Sequence, residues 1–140
     1  MTAISSDDLK ERLKRFALRA MRLVDALPRT PTADVLGRQI VRSATSVGAN
    51  YRSACRARSR ADFVSKLGIV EEEADECVYW LELIVDAELI RRERAADLMQ
   101  EACEITAIVV SSIKRPGVMF SDSRAEPSHR PPRSNTLASS

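Results

Sequence analysis

The sequence predicts an all-α fold, an antiparallel up-down four-helix bundle. Two observations carry this. Four segments place apolar residues at alternating spacings of three and four, a helical period that strands cannot match. The 140 residues are 44% apolar but only 4% aromatic, a composition poor for a sandwich or barrel.

The first seam is Leu9, Leu13, Phe16, Ala20, Leu23 and Leu27. Ser6 stands before Asp7 and Asp8, so it is the expected N-cap, with acids over the first turn. Pro28 and Pro31 stop this helix and define a short loop. The second helix is expected from about Thr32, using Leu36, Ile40, Ala44, Val47, Tyr51 and Ala54. Gly48 lies inside it and marks a bend or a close helix contact.

Ser59-Arg60-Ala61-Asp62 reads as a capping box with Asp in place of Glu, which starts a third helix. Its seam is Phe63, Leu67, Val70, Ala74, Cys77, Leu81 and Ile84. The fourth seam is Ala95, Leu98, Ala102, Ile105, Val109 and Ile113, ended by Pro116-Gly117. No Gly or Pro separates the last two helices, and the turn is expected near Leu89–Arg91. Short loops force neighbouring helices to run antiparallel. The bundle should therefore occupy residues 1–117. Residues 118–140, rich in Ser, Pro and Arg and without periodicity, are expected to form a disordered tail.

Several function classes are excluded at this level. No apolar run approaches the ~20 residues of a membrane span. The N-terminus lacks the basic and apolar regions of a secretory signal, so the three cysteines read as reduced thiols of a cytoplasmic protein. The one histidine, His129, falls in the tail, which leaves the bundle without a Ser-His nucleophile. No phosphate-binding Gly loop or dinucleotide fingerprint occurs. The expectation is a non-enzymatic protein with no cofactor and no metal. The alternative is a metal-binding or catalytic bundle using buried cysteines or acids.

Charge is unevenly distributed although the net is +2. Residues 38–61 carry six arginines and no acid, whereas residues 62–104 carry thirteen acids and four bases. On a continuous helix Arg38, Arg42, Arg52, Arg56 and Arg60 lie within roughly 40° of one direction. Arg60 joins only if the second helix runs that far. Guanidinium forks bind phosphate bidentately, so the stripe is a candidate nucleic-acid face for RNA or DNA. Against this stands a packing role, in which the arginines pair with the acidic face of the third helix, at Glu72, Asp75 and Glu76. The packing role is the favoured reading.

Glu72 and Glu76 also sit one turn apart, but a di-iron bundle needs Glu-x-x-His pairs, and a solvated or salt-bridged face is expected instead. Cys55, Cys77 and Cys103 fall at or beside seam positions and are expected to pack as small buried hydrophobes. Ile69, Trp80, Leu83 and Ala87 form a second apolar strip on the third helix, expected to be an oligomer contact.

One stretch carries a resemblance. Arg42-Ser43-Ala44-Thr45-Ser46-Val47-Gly48-Ala49-Asn50, then Ser59-Arg60-Ala61-Asp62-Phe63, then Glu76, resembles a bacterial four-helix-bundle family. That family is related to proteins encoded in intervening sequences of large-subunit ribosomal RNA genes. The chain departs from it after Asn50, where Tyr51-Arg52-Ser53-Ala54 replaces the common Ile-Ala-Glu-Gly, and at Glu72-Glu73, where Gly-Ser is common. The resemblance implies a homo-oligomeric bundle, a pentamer, of unassigned activity. More distantly it is similar to accessory proteins of diversity-generating retroelements, which associate with reverse transcriptase and nucleic acid.

Overall fold

Each of the four seams forms a helix. In the computed structural model, which describes residues 4–114, α1 spans Ser6–Asp25, α2 Pro31–Ala54, α3 Arg60–Asp86 and α4 Arg92–Lys114. The 118–140 tail lies outside the described residues.

Hydroxyl caps start three of the helices. The cap of α1 is Ser5 rather than Ser6: Ser5 has extended backbone, and its hydroxyl accepts the Asp8 N–H at 3.1 Å. Ser6 is already helical and cannot play that part. Thr30 accepts the Ala33 N–H at 3.2 Å, and Pro31 opens α2 where no backbone donor is required. Ser59 accepts the Asp62 N–H at 3.1 Å. The Asp62 carboxylate also bonds Lys66, one turn ahead at 3.0 Å, and reaches back to the backbone N–H of Arg58. The Lys66 hydrogen bond holds its carboxyl below the usual range, opposed by burial.

The α3–α4 turn begins earlier than expected, at Ala87. Leu89 donates to the Ile84 carbonyl and Glu88 to the Val85 carbonyl, while Glu88 adopts φ 59°. This is a Schellman ending with glutamate in the left-handed position where glycine is usual, which is why no glycine announces it. Leu89 then folds back onto the core.

The helices close into a ring. α1 packs beside α2, α2 beside α3, α3 beside α4 and α4 returns to α1, and across both diagonals the backbones stand further apart. The α2–α3 pair is the most extensive and α1–α4 the sparsest. The seam residues form one core, with only Leu27, Leu36 and Ile113 left half-buried at its ends. Gly48 faces α1 without requiring a glycine, since a Cβ there would meet Leu13 at 3.6 Å, ordinary contact distance, whereas a Cβ at Gly37 would meet Val24 at 2.9 Å. Every buried side-chain polar atom among the described residues has a hydrogen-bond partner.

Two measurements check this packing. Leu81 is fully buried at the centre of the α3 seam, so Leu81→Ala should cost about 2–5 kcal/mol in denaturant unfolding. Glu88→Gly should stabilise the fold by about 1 kcal/mol, because it removes the left-handed penalty of a side chain. A loss of stability in that variant would contradict the turn geometry.

Candidate nucleic-acid interface

α2 carries Arg38, Arg42 and Arg52 as exposed residues spaced along one side of the helix. The expected stripe of five is not continuous. α2 ends at Ala54; the Cys55 N–H bonds the Tyr51 carbonyl, and the Arg56 N–H shortens onto the Ser53 carbonyl at 3.1 Å. Arg56 therefore stands in the connecting turn, and Arg60 is the first residue of α3 beyond its Ser59 cap. The helical extrapolation fails at that point because the chain has left the helix.

Arg42 divides the stripe. One of its guanidinium nitrogens lies 3.3 Å from Glu73, another bonds Glu76, and its Nε donates to Gln39 at 3.1 Å. Glu76 in turn accepts the Trp80 indole N–H at 3.1 Å. The packing reading therefore holds for Arg42, through the expected Glu76 and through Glu73, which lies outside the expected acidic face. Glu72 and Asp75 are exposed and have no hydrogen bond or ion pair among the described residues. Arg38, Arg52 and Arg56 likewise have no side-chain partner there.

A second ion-pair network was not visible in the sequence. Arg12 of α1 bonds Glu101 of α4 through Nε and approaches Glu104 at 2.6 Å. Hydrogen bonding to Glu101 raises the guanidinium pKa, with burial opposing. These residues are 89 and 92 positions apart, so no local spacing signals the pairing.

The apolar strip is only partly exposed. Ile69 is 41% exposed, but Trp80 packs against the core, Leu83 is half-buried and Ala87 is the cap of α3. Tyr79, outside the expected strip, is 53% exposed, with its ring 5.1 Å from that of Trp80.

The cysteines do not share one environment, contrary to the expectation of burial for all three. Cys77 is buried, whereas Cys55 and Cys103 are exposed. Cys103 follows the inward Ala102 and is turned about 100° away from it, and Cys55 lies just past the end of α2. Burial pushes the Cys77 thiol up to about 11, opposed by its 3.1 Å hydrogen bond with the Ser43 hydroxyl. The Cys55 sulfur lies 3.6 Å from the Ser6 hydroxyl. Burial likewise raises the phenol pKa of the neighbouring Tyr51, whose hydroxyl interacts with Cys55 and Ser6. No group of three or more His, Cys, Asp or Glu side chains among the described residues is arranged to hold a metal. No helix there is long and apolar enough to cross a membrane.

The sequence profile described as 23S rRNA-intervening sequence protein matches residues 8–111. The chain belongs to that family. The crystal structure of a protein of unknown function from the S23 ribosomal protein family of Bacteroides thetaiotaomicron VPI-5482 superposes with a TM-score of 0.71. It is 42% identical, over 76% of this chain and 98% of that one. No curated protein matches the chain significantly.

The residues that carried the family resemblance have identifiable work within this member of the family. Arg42 and Glu76 bond each other across α2 and α3. Ser43 donates to the Gln39 carbonyl at 2.9 Å while accepting from Cys77. Asn50 donates to the Ser46 carbonyl at 2.8 Å, Ser59 caps α3, and Phe63 is buried.

The cysteine environments give a direct test. Iodoacetamide at neutral pH should alkylate Cys55 and Cys103 in the folded protein and spare Cys77, as read by peptide mass spectrometry. The raised Cys77 pKa sets the sign of its pH effect. Its contribution to stability is complete below the ordinary thiol value of 9.0 and is lost as pH rises through about 11. Cys77→Ala should flatten the stability profile over that interval.

Proposed function

We propose that the chain is a non-catalytic, homo-oligomeric scaffold that associates with RNA or DNA through the unneutralised arginines of the basic block. One observation carries the reading. The polar residues of the family signature are engaged within the bundle's own structure, Arg42 with Glu76 at the α2–α3 rim and Ser43 with Cys77 in the core. They hold helices together instead of converging on an open cleft. Arg38, Arg52 and Arg56 are left facing solvent as the cations available to a partner. Phosphate is the matching chemistry, because a guanidinium presents a planar fork of donors. Tyr51, the aromatic residue beside Arg52 in sequence, is fully buried, which favours contact with the backbone over stacking on bases.

Self-association is assigned to the outer side of α3, where Ile69 and Tyr79 leave apolar area exposed beside Trp80. Ala87 and the half-buried Leu83 continue that strip. The pentamer implied by the family resemblance corresponds to a solution mass near five times the 15.6 kDa protomer.

Both parts are testable separately. Arg52→Gln with Arg56→Gln should weaken RNA or DNA binding and lower the log–log salt slope by roughly 0.7–0.9 per lost phosphate contact. Melting temperature and light-scattering mass should stay unchanged. No detectable wild-type binding at low salt would reject the nucleic-acid reading. Ile69→Glu, at an exposed position off the core seam, should shift light-scattering mass toward smaller species. A wild-type protein already monomeric at a concentration on the order of tens of micromolar would reject self-association.

A further inference from the structure

The α1–α4 seam is the sparsest contact in the ring, and a groove runs along it. One end is lined by Arg12, Arg15, Arg19 and Glu101, the other by Arg19, Arg22, Arg94 and Asp97. Arg19 stands between the two hollows and lines both. From Arg12 to Arg22 the axis of α1 advances about 15 Å.

The acids do not neutralise this groove. Arg12 occupies Glu101 together with Glu104, so that cluster is internally paired. Arg15, Arg19, Arg22 and Arg94 have no side-chain hydrogen bond or ion pair among the described residues. Asp97 is the remaining acid in the lining. Arg19 is half-buried even so, held beside the seam without a carboxylate. Positions 15, 19 and 22 recur at helical spacing, so their guanidinium groups follow one edge of α1 while Arg94 stands across on α4.

We infer that the α1–α4 groove is a second binding track, for the phosphodiester backbone of a single RNA or DNA strand. The floor argues for phosphate over an acidic peptide. Phe16, Leu23 and Leu98 are buried and Ile90 is half-buried, so a peptide would find little apolar area to cover. A phosphodiester needs only the guanidinium forks. The burial of Phe16 also removes it as a platform for bases, so binding is tolerant of sequence. The track is independent of Arg38, Arg52 and Arg56, and it stands or falls without them.

The test measures anisotropy of labelled oligo(U) and oligo(dT) strands of about 20 nucleotides against salt, a length exceeding typical single-strand site sizes. The groove triple Arg15→Gln, Arg19→Gln, Arg22→Gln is compared with the α2 set Arg38→Gln, Arg52→Gln, Arg56→Gln. A charge-matched control replaces Lys14, Arg29 and Arg91, exposed residues outside both sets, by Gln. The groove triple should lower the log–log salt slope by about 2, on the basis of roughly 0.7 per contact with a single strand, and by more than the control. A loss no greater than the control overturns the track, whatever the α2 set does. Loss in the groove triple alone supports the track and rejects the α2 reading. Should the triple fail to fold, Arg15→Gln with Arg22→Gln spares the half-buried Arg19 and should remove about two thirds of the slope change. Binding of either strand that depends on these arginines supports the track, and the ratio of the two affinities identifies the preferred sugar. Displacement of the strand by polyglutamate at equal charge concentration would overturn it in favour of an acidic protein partner.

Discussion

The pairing of α2 with α3 is the contact on which the other features of the bundle depend. Small residues allow the two helices to approach: Ser43 and Ala44 on α2, Ala74 and Cys77 on α3, all buried. At the centre of that approach the Cys77 thiol bonds the Ser43 hydroxyl, which itself bonds the Gln39 carbonyl. A shift of one helical turn would part the Cys77 thiol, a weak donor, from this acceptor, while Ser43 kept its bond within α2. The Arg42 network with Glu73 and Glu76 repeats the same register at the rim. Apolar seams alone tolerate sliding by a turn, so these polar contacts select one alignment among several of similar apolar burial.

α1 and α4 flank that pair and meet one another less closely. Their seam is bridged by Arg12 with Glu101 and Glu104, part-buried and multiply bonded, which distinguishes it from isolated surface ion pairs of little worth. The sparseness has a consequence for the surface. A seam that is not filled by side chains becomes a groove, and the arginines along α1 line it instead of spreading over a convex face.

The charge blocks acquire different meanings once the helices are packed. The arginine-rich and acid-rich stretches are adjacent in sequence and adjacent in the ring, and Arg42 joins them through its ion pairs with Glu73 and Glu76. Arg38 and Arg52 project from the same helix without a carboxylate partner, and Glu72 and Asp75 project from α3 without a cationic one. The surface therefore carries separated positive and negative fields, which steer charged partners. In a family of unknown function, these fields are the physical basis for the proposed roles.

By itself the sequence determined the four helices, their order and nearly the whole core, because helical periodicity is a local property. Leu9 through Val109 entered the core at the phase their spacing required. Local hydrogen-bonding chemistry also located the Ser59 cap, while the Ser5 cap and the Glu88 turn were displaced or hidden: two adjacent serines are equivalent until the backbone chooses, and glutamate is not a turn residue. The tertiary structure decided what a given charge or thiol does. Glu73 and Glu76 differ from Glu72 and Asp75 only in their angle about α3 relative to α2, and Arg12 finds partners 89 and 92 residues away. Cys77 lies on an inward phase, while Cys55 and Cys103 lie just off theirs. Periodicity fixes which face of a helix is apolar; which neighbour a polar edge meets depends on helix separation and rotation, set only when all four helices pack.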